Sequence, residues 1–103
     1  MDNRWQQLQN NINNWADTVF DCEINAPEII EHIIEEVEEL REDIYNPLNY
    51  ADILILLFRL AKKAEINMED LLRITEAKHT INSTERLWNS DYKPRNGKRY
   101  TKI

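Results

Sequence analysis

Apolar residues recur every three or four positions through most of this chain, and four amphipathic stretches follow one another. Trp5, Leu8, Ile12, Trp15 and Val19 carry the first, which predicts a helix from roughly Asn3 to Val19. A second helix opens near Pro27, a favoured first-turn residue, and continues to about Ile44. The third is announced by Asn46 as N-cap and Pro47 at the first helical position, and runs to about Glu65. The fourth has Asn67 as N-cap with Asp70 three residues on, and extends to about Leu87. The connections are short, which favours antiparallel neighbours. The expected fold class is all-α: a four-helix bundle over residues 1–88, followed by an irregular basic C-terminal tail, 89–103.

The second helix carries two patterns at once. Ile29, Ile33, Val37, Leu40 and Ile44 form an apolar stripe, widened by Ile30 and Ile34. Beside it, His32, Glu36, Glu39 and Asp43 form a ridge at spacings of four, three and four, bordering the core. Glu31, Glu38 and Glu42 lie opposite, in water. Like charges three or four apart on a helix repel, so the ridge needs compensation. A hard divalent cation is one kind, and a merely solvated acidic face is the alternative.

The third helix bears on that choice. Residues Ala51, Ile53, Leu54, Ile55, Leu56, Leu57, Phe58 and Leu60 make it apolar nearly all round, hence central. Asp52 sits inside this run, where a lone ionised carboxylate would be expensive. Asn49 lies one turn earlier, with Arg59 and Lys63 two and three turns later on the same side. Asp52 either pairs with Arg59 or another base, or faces the Glu36–Glu39 ridge across the hairpin and completes an oxygen-rich cage.

Composition narrows the frame. With 103 residues the chain is one domain, and a single Gly with three Pro leaves little turn vocabulary for a sheet. A chain this short buries only about two-thirds of its unfolded surface, so a partner subunit would help. A net charge of −6 argues against nucleic acid as a partner. The lone Cys22 rules out an internal disulfide and fits a reducing compartment. It has no companion His and no motif, so it reads as structural. No signal peptide or membrane span is recognisable: the run Ile53 to Leu60 is too short and is interrupted by Arg59. A cytoplasmic protein with no membrane partner is expected.

At this point the residues resemble a family. Glu-Glu-x-x-Glu followed by a second acidic pair at i and i+3 is the pattern of MazG-like, all-α nucleoside triphosphate pyrophosphohydrolases. Here it reads Glu35, Glu36, Glu39, then Asn49 and Asp52. The likeness is nearest to a subgroup, common in phages, of dATP/dGTP diphosphohydrolases, and covers residues from about 5 to 92. Its other elements are Trp15-Ala-Asp-Thr18-Val-Phe20, one residue looser than the family form, Tyr50-Ala51-Asp52, and Lys78, Asn82, Arg86 and Trp88. Two departures stand out. Asn49 occupies a position that is usually Glu, and Arg86 is one residue further from Asn82 than the pattern suggests.

The resemblance implies a chemistry: a dNTP and water give a dNMP and pyrophosphate, with Mg²⁺ as cofactor and Mn²⁺ as a substitute. Glu36, Glu39, Asp52 and Asn49 are then the metal ligands, since Mg²⁺ prefers oxygen donors. His32 is correspondingly a salt-bridging or supporting residue. Glu35 would orient or deprotonate the attacking water, or else simply face solvent. Lys78, Asn82 and Arg86 would meet the phosphates, and Arg59 and Lys63 either join them or pair with the acidic helix. Trp5, Trp15, Phe20 and Phe58 are most simply core, with Trp15 and Phe20 also placed to line a base pocket. The resemblance further implies a homodimer or homotetramer. Alternatives remain a MazG-like hydrolase of dUTP, dCTP or a broad range of nucleotides, and a non-enzymatic acidic helical interaction protein. The basic tail, with Lys93, Arg95, Lys98, Arg99 and Lys102, is either a disordered end or a positive mouth for a polyanion.

Overall fold

A computed structural model describes residues 3–20 and 24–84. Four helices follow in order: α1 (Arg4–Val19), α2 (Ala26–Glu42), α3 (Pro47–Lys63) and α4 (Met68–Thr84), with no strand among the described residues. The all-α, four-helix architecture expected from the sequence is what the structure shows. None of these helices is long and apolar enough to cross a membrane. The chain divides into two compact units, Met1–Asp70 and Leu71–Ile103. The end of the fourth helix near Leu87 and the boundary at residue 88 lie outside the described residues.

Caps explain where the helices start. The Asn46 side chain accepts from Leu48 N–H at 3.0 Å, with Pro47 behind it. The Asn67 side chain accepts from Asp70 N–H at 2.8 Å. The start of α2 falls at Ala26 rather than Pro27, because Asn25 caps it and accepts from Glu28 N–H at 3.0 Å. Its end falls at Glu42 rather than Ile44. There Asp43 leaves the helix, and its Oδ1 accepts from Tyr45 N–H at 3.1 Å. Asp43 is therefore a turn residue and drops out of the acidic ridge. The third helix stops at Lys63, two residues early. Glu65 adopts a left-handed conformation (φ 60°), Ile66 N–H reaches Ala61 O at 2.8 Å and Glu65 N–H reaches Lys62 O at 3.0 Å. Those paired bonds are a Schellman ending, built here without the usual glycine.

In the first unit α3 packs against both α2 and α1, which fits its central role. Its buried residues are Leu56, Phe58 and Ala61; Ile29, Ala16 and Met68 complete the small core. Burying a side chain such as Phe58, 2% exposed, contributes about 1.5–3 kcal/mol. The aromatic expectation needs correcting. Phe58 is core, but Trp5, Trp15 and Phe20 are exposed, because the small unit can cover only one such ring fully. Trp5 meets Phe58 edge-to-face at 5.7 Å. The α2 stripe is also only partly covered: Ile29 is buried, Ile33 and Leu40 are half-buried, and Ile30, Ile34, Val37 and Ile44 are exposed.

A buried polar residue absent from the sequence reading ties the helices together. Gln9, 1% exposed, donates from Nε2 to Phe58 O at 3.2 Å and Ile66 O at 3.1 Å. Its Oε1 accepts from Met68 N–H at 3.2 Å and from Gln6 Nε2 at 2.9 Å. An amide has both a donor and an acceptor end, so one side chain closes the chain path between α1, the end of α3 and the start of α4.

Candidate active site

The α2–α3 hairpin brings three carboxylates together. Glu36 and Glu39 share one side of α2, three residues apart, and Asp52 stands across from them on α3. One carboxylate oxygen from each lies within 4.8 Å of the others. Hairpin geometry explains the match: α2 ends six residues after Glu36, and α3 begins five residues before Asp52, so both positions are a similar distance from the turn.

Burial is divided unexpectedly within this trio. Asp52 is exposed, as is Glu39, whereas the Glu36 side chain retains only 16% exposure. The cost assigned to a buried Asp52 therefore falls on Glu36 instead. Its Oε1 lies 3.4 Å from His32 Nε2, one turn earlier. Its Oε2 is buried without a hydrogen-bond partner. Two ionised carboxylates can only accept, so a hydrogen bond between Glu36 and Glu39 requires one of them to carry a proton. The Glu36 pKa is held above its ordinary value of 4.5, first by a side-chain hydrogen bond with Glu39, then by desolvation and by the charges of Glu39 and Asp52. His32 opposes the shift. A buried, unpartnered oxygen among carboxylates from two helices suits a hard divalent cation, and the all-oxygen donor set suits Mg²⁺.

The neighbours of the trio have distinct roles. Asn49, half-buried one turn before Asp52, donates from Nδ2 to Asp43 O at 2.9 Å and so braces the hairpin. Glu35 is exposed on α2, one turn before Glu39, and lies outside the three-carboxylate group. Arg59 forms no ion pair among the described residues and does not neutralise Asp52; its Cζ sits 5.2 Å over the Phe20 ring. Phe20 in turn meets Trp15 edge-to-face at 5.8 Å.

Lys78 and Asn82 lie on α4 in the second unit, the first exposed and the second half-buried. Arg86, Trp88, Cys22 and the basic tail fall outside the described residues.

A family model described as dATP/dGTP pyrophosphohydrolase matches residues 8–103. The chain belongs to that family. It is a nucleotide pyrophosphohydrolase, a hydrolase acting on an acid anhydride, and the reading as a non-enzymatic acidic adaptor gives way. No curated protein and no solved structure matches the chain. For a dATP/dGTP pyrophosphohydrolase, the match spans every candidate site residue named above, from Trp15 to Arg86.

The aromatic and cationic cluster is what reading the sequence left unassembled. Trp15, Phe20 and Arg59 belong to different helices or their ends. The available signal was that Arg59 follows Asp52 by seven residues, two helical turns on one face.

Proposed function

We propose that this protein hydrolyses purine deoxynucleoside triphosphates, dATP and dGTP, to the monophosphate and pyrophosphate in a Mg²⁺-dependent reaction. The observation that carries this reading is the Glu36–Glu39–Asp52 cluster with its unpartnered buried Glu36 oxygen. Family membership over residues 8–103 supports purine deoxynucleoside triphosphates as the substrate class. Glu36, Glu39 and Asp52 would hold Mg²⁺, joined by the Asn49 carbonyl oxygen, and Mn²⁺ would substitute. Bound there, the ion supplies Lewis-acid polarisation of the α-phosphate and a lowered pKa for water.

The remaining tasks fall to protein side chains. Glu35, exposed beside the cluster, is suited to accept a proton from the attacking water and to orient it toward the α-phosphorus. Lys78, Arg86 and Asn82 are the groups to balance charge building on the phosphates. Trp15, largely exposed, offers a face on which a purine can stack.

The enzyme is further read as a homodimer or homotetramer in the cytoplasm. Ile30, Ile34 and Val37 remain exposed along one side of α2, a spacing that suits packing against a second copy.

The decisive experiment is a screen of all canonical NTPs and dNTPs, with Mg²⁺ and with EDTA, following pyrophosphate release. The expected result is release from dATP and dGTP that EDTA abolishes. Orthophosphate release, or turnover unaffected by EDTA, overturns the proposal.

A further inference from the structure

Phe20, Trp15 and Arg59 make an arrangement that a core does not need. An arginine laid against an aromatic ring gains cation–π attraction, and the contact fixes the plane of its donors. Here the guanidinium carbon stands 5.2 Å from the Phe20 centroid. Phe20 presents itself edge-to-face to Trp15 at 5.8 Å and 89°, and Trp15 is 58% exposed. Trp15 is the more exposed of the two rings and stands beside that cation, so it is the ring best placed to meet a ligand.

Position along α3 says which part of a nucleotide would reach this cluster. From Asp52 to Arg59 the helix rises about 10 Å and turns to within about 20° of the same face. Arg59 would have to lean back toward Asp52 to meet phosphates held there, whereas its guanidinium lies over Phe20 instead. The rise is close to the separation, across a sugar, between an α-phosphorus and the far edge of its base.

We infer that Arg59 is a specificity-determining residue that reads the base, donating two N–H groups to a purine carrying adjacent acceptors while the ring stacks on Trp15. This inference rests on the proposed nucleotide hydrolysis and deepens it. The acceptor pair O6 and N7 belongs to guanine. Adenine offers N7 beside an amino donor, which an arginine cannot satisfy. Phe20 acts as the positioning residue, because the Arg59 guanidinium lies over its ring. The arrangement favours dGTP over dATP.

The test uses the full-length protein and its Arg59→Lys variant, which keeps the charge and loses the two-pronged donor. Substrates are dGTP, dITP (both acceptors, no 2-amino group), dATP and 7-deaza-dGTP (no N7). Wild type should prefer dGTP and dITP. The variant should lose about 5- to 150-fold in kcat/KM for those two and little for the others. Equal losses on dGTP and dATP would place Arg59 at the phosphates, and no loss on either would remove it from the site; both overturn the inference.

Calorimetric titration with dGMP and dAMP separates this claim from the parent one. Arg59-dependent preference for dGMP in a protein that releases no pyrophosphate would sink the proposed function and keep the inference. Robust dNTP hydrolysis with dGMP and dAMP bound alike would do the reverse. Should Arg59→Lys fail to fold, the wild-type comparison of dGTP with 7-deaza-dGTP decides: equal kcat/KM for the two overturns the inference.

Discussion

His32 Nε2 faces Glu36 Oε1 at 3.4 Å, and that contact occupies only one of the two Glu36 oxygens. The other is buried without a partner, and the hydrogen bond with Glu39, followed by this desolvation, makes the folded chain favour the protonated form of Glu36. Below its ordinary pKa of 4.5, both folded and unfolded chains carry the proton. As pH rises the unfolded chain releases it first, and the folded chain keeps it until the raised value is passed. Within that window the unfolded state binds fewer protons, so stability falls with rising pH. Metal-free protein should therefore lose stability relative to Glu36→Gln as pH rises above 4.5 and through the raised Glu36 pKa. Denaturant melts of both proteins in EDTA check this, and parallel curves would remove Glu36 as the strained group. Mg²⁺ should narrow the gap at neutral pH, because a cation replaces the missing proton.

Glu36→Gln, Glu39→Gln and Asp52→Asn should each lower turnover by at least about 100-fold. Each keeps shape and removes a ligand charge, so helicity by circular dichroism should be unchanged. Metal-free melting temperatures should hold or rise, since repulsion is relieved. Glu35→Gln should behave differently, lowering kcat while KM and the Mg²⁺ concentration for half-activity stay near wild type. Steady-state kinetics across a Mg²⁺ series distinguishes the two patterns. Near-native turnover in all three ligand variants would relocate the site.

Which parts were legible in the sequence follows from what sets them. Helix starts at Asn46 and Asn67 are local side-chain-to-backbone bonds, so spacing alone reveals them. The Glu36–Glu39–Asp52 grouping was legible too, because a short hairpin fixes which residues face each other. Burial was not. It depends on how much surface a small unit can cover, which is why Asp52 is exposed, Glu36 is shielded, and Trp15 lies outside the core. The role of Gln9 was equally invisible. Its partners Phe58 O, Ile66 O and Met68 N–H lie some fifty to sixty residues away, and backbone groups leave no mark in a sequence.

Gln9→Leu tests that hub. The substitution conserves approximate volume but leaves two carbonyls and one N–H without Gln9 as partner. Unsatisfied buried groups cost about 1–3 kcal/mol each. Partial relief by water and by Gln6 Oε1, which also accepts from Met68 N–H at 2.9 Å, suggests a net loss of about 2–4 kcal/mol. In a domain of this size the melting temperature should drop by roughly 10 °C or more. Thermal denaturation measures it, and an unchanged midpoint would show that the network carries little stability.

Assembly can be probed on α2. Ile34, exposed between Ile30 and Val37, is a position where a charge is harmless to a monomer and costly in an apolar interface. Ile34→Glu should shift light-scattering mass toward the monomer at micromolar concentration, with little loss of helicity. An unshifted oligomer would move the interface elsewhere, and a wild-type monomer with full activity would remove it.

Asn49 sets stability against metal binding. Its Nδ2 holds Asp43 O at 2.9 Å, and because the amide is planar its oxygen points away from that carbonyl, free to serve as a neutral ligand. Asn49→Glu supplies the charged residue found more often at this position in the family pattern. It also deletes the amide NH2 that donates to Asp43 O and adds a fourth carboxylate beside the trio. Without metal the variant should be less stable by about 0.5–1.5 kcal/mol for the lost hydrogen bond, with repulsion adding to it. With metal the order should reverse, because a charged oxygen binds Mg²⁺ more tightly than an amide oxygen. Melting temperatures of both proteins across a Mg²⁺ titration should therefore cross, since a ligand that binds only the folded state stabilises it in proportion to its affinity. Curves that stay parallel would show that Asn49 braces the hairpin and does not touch the ion.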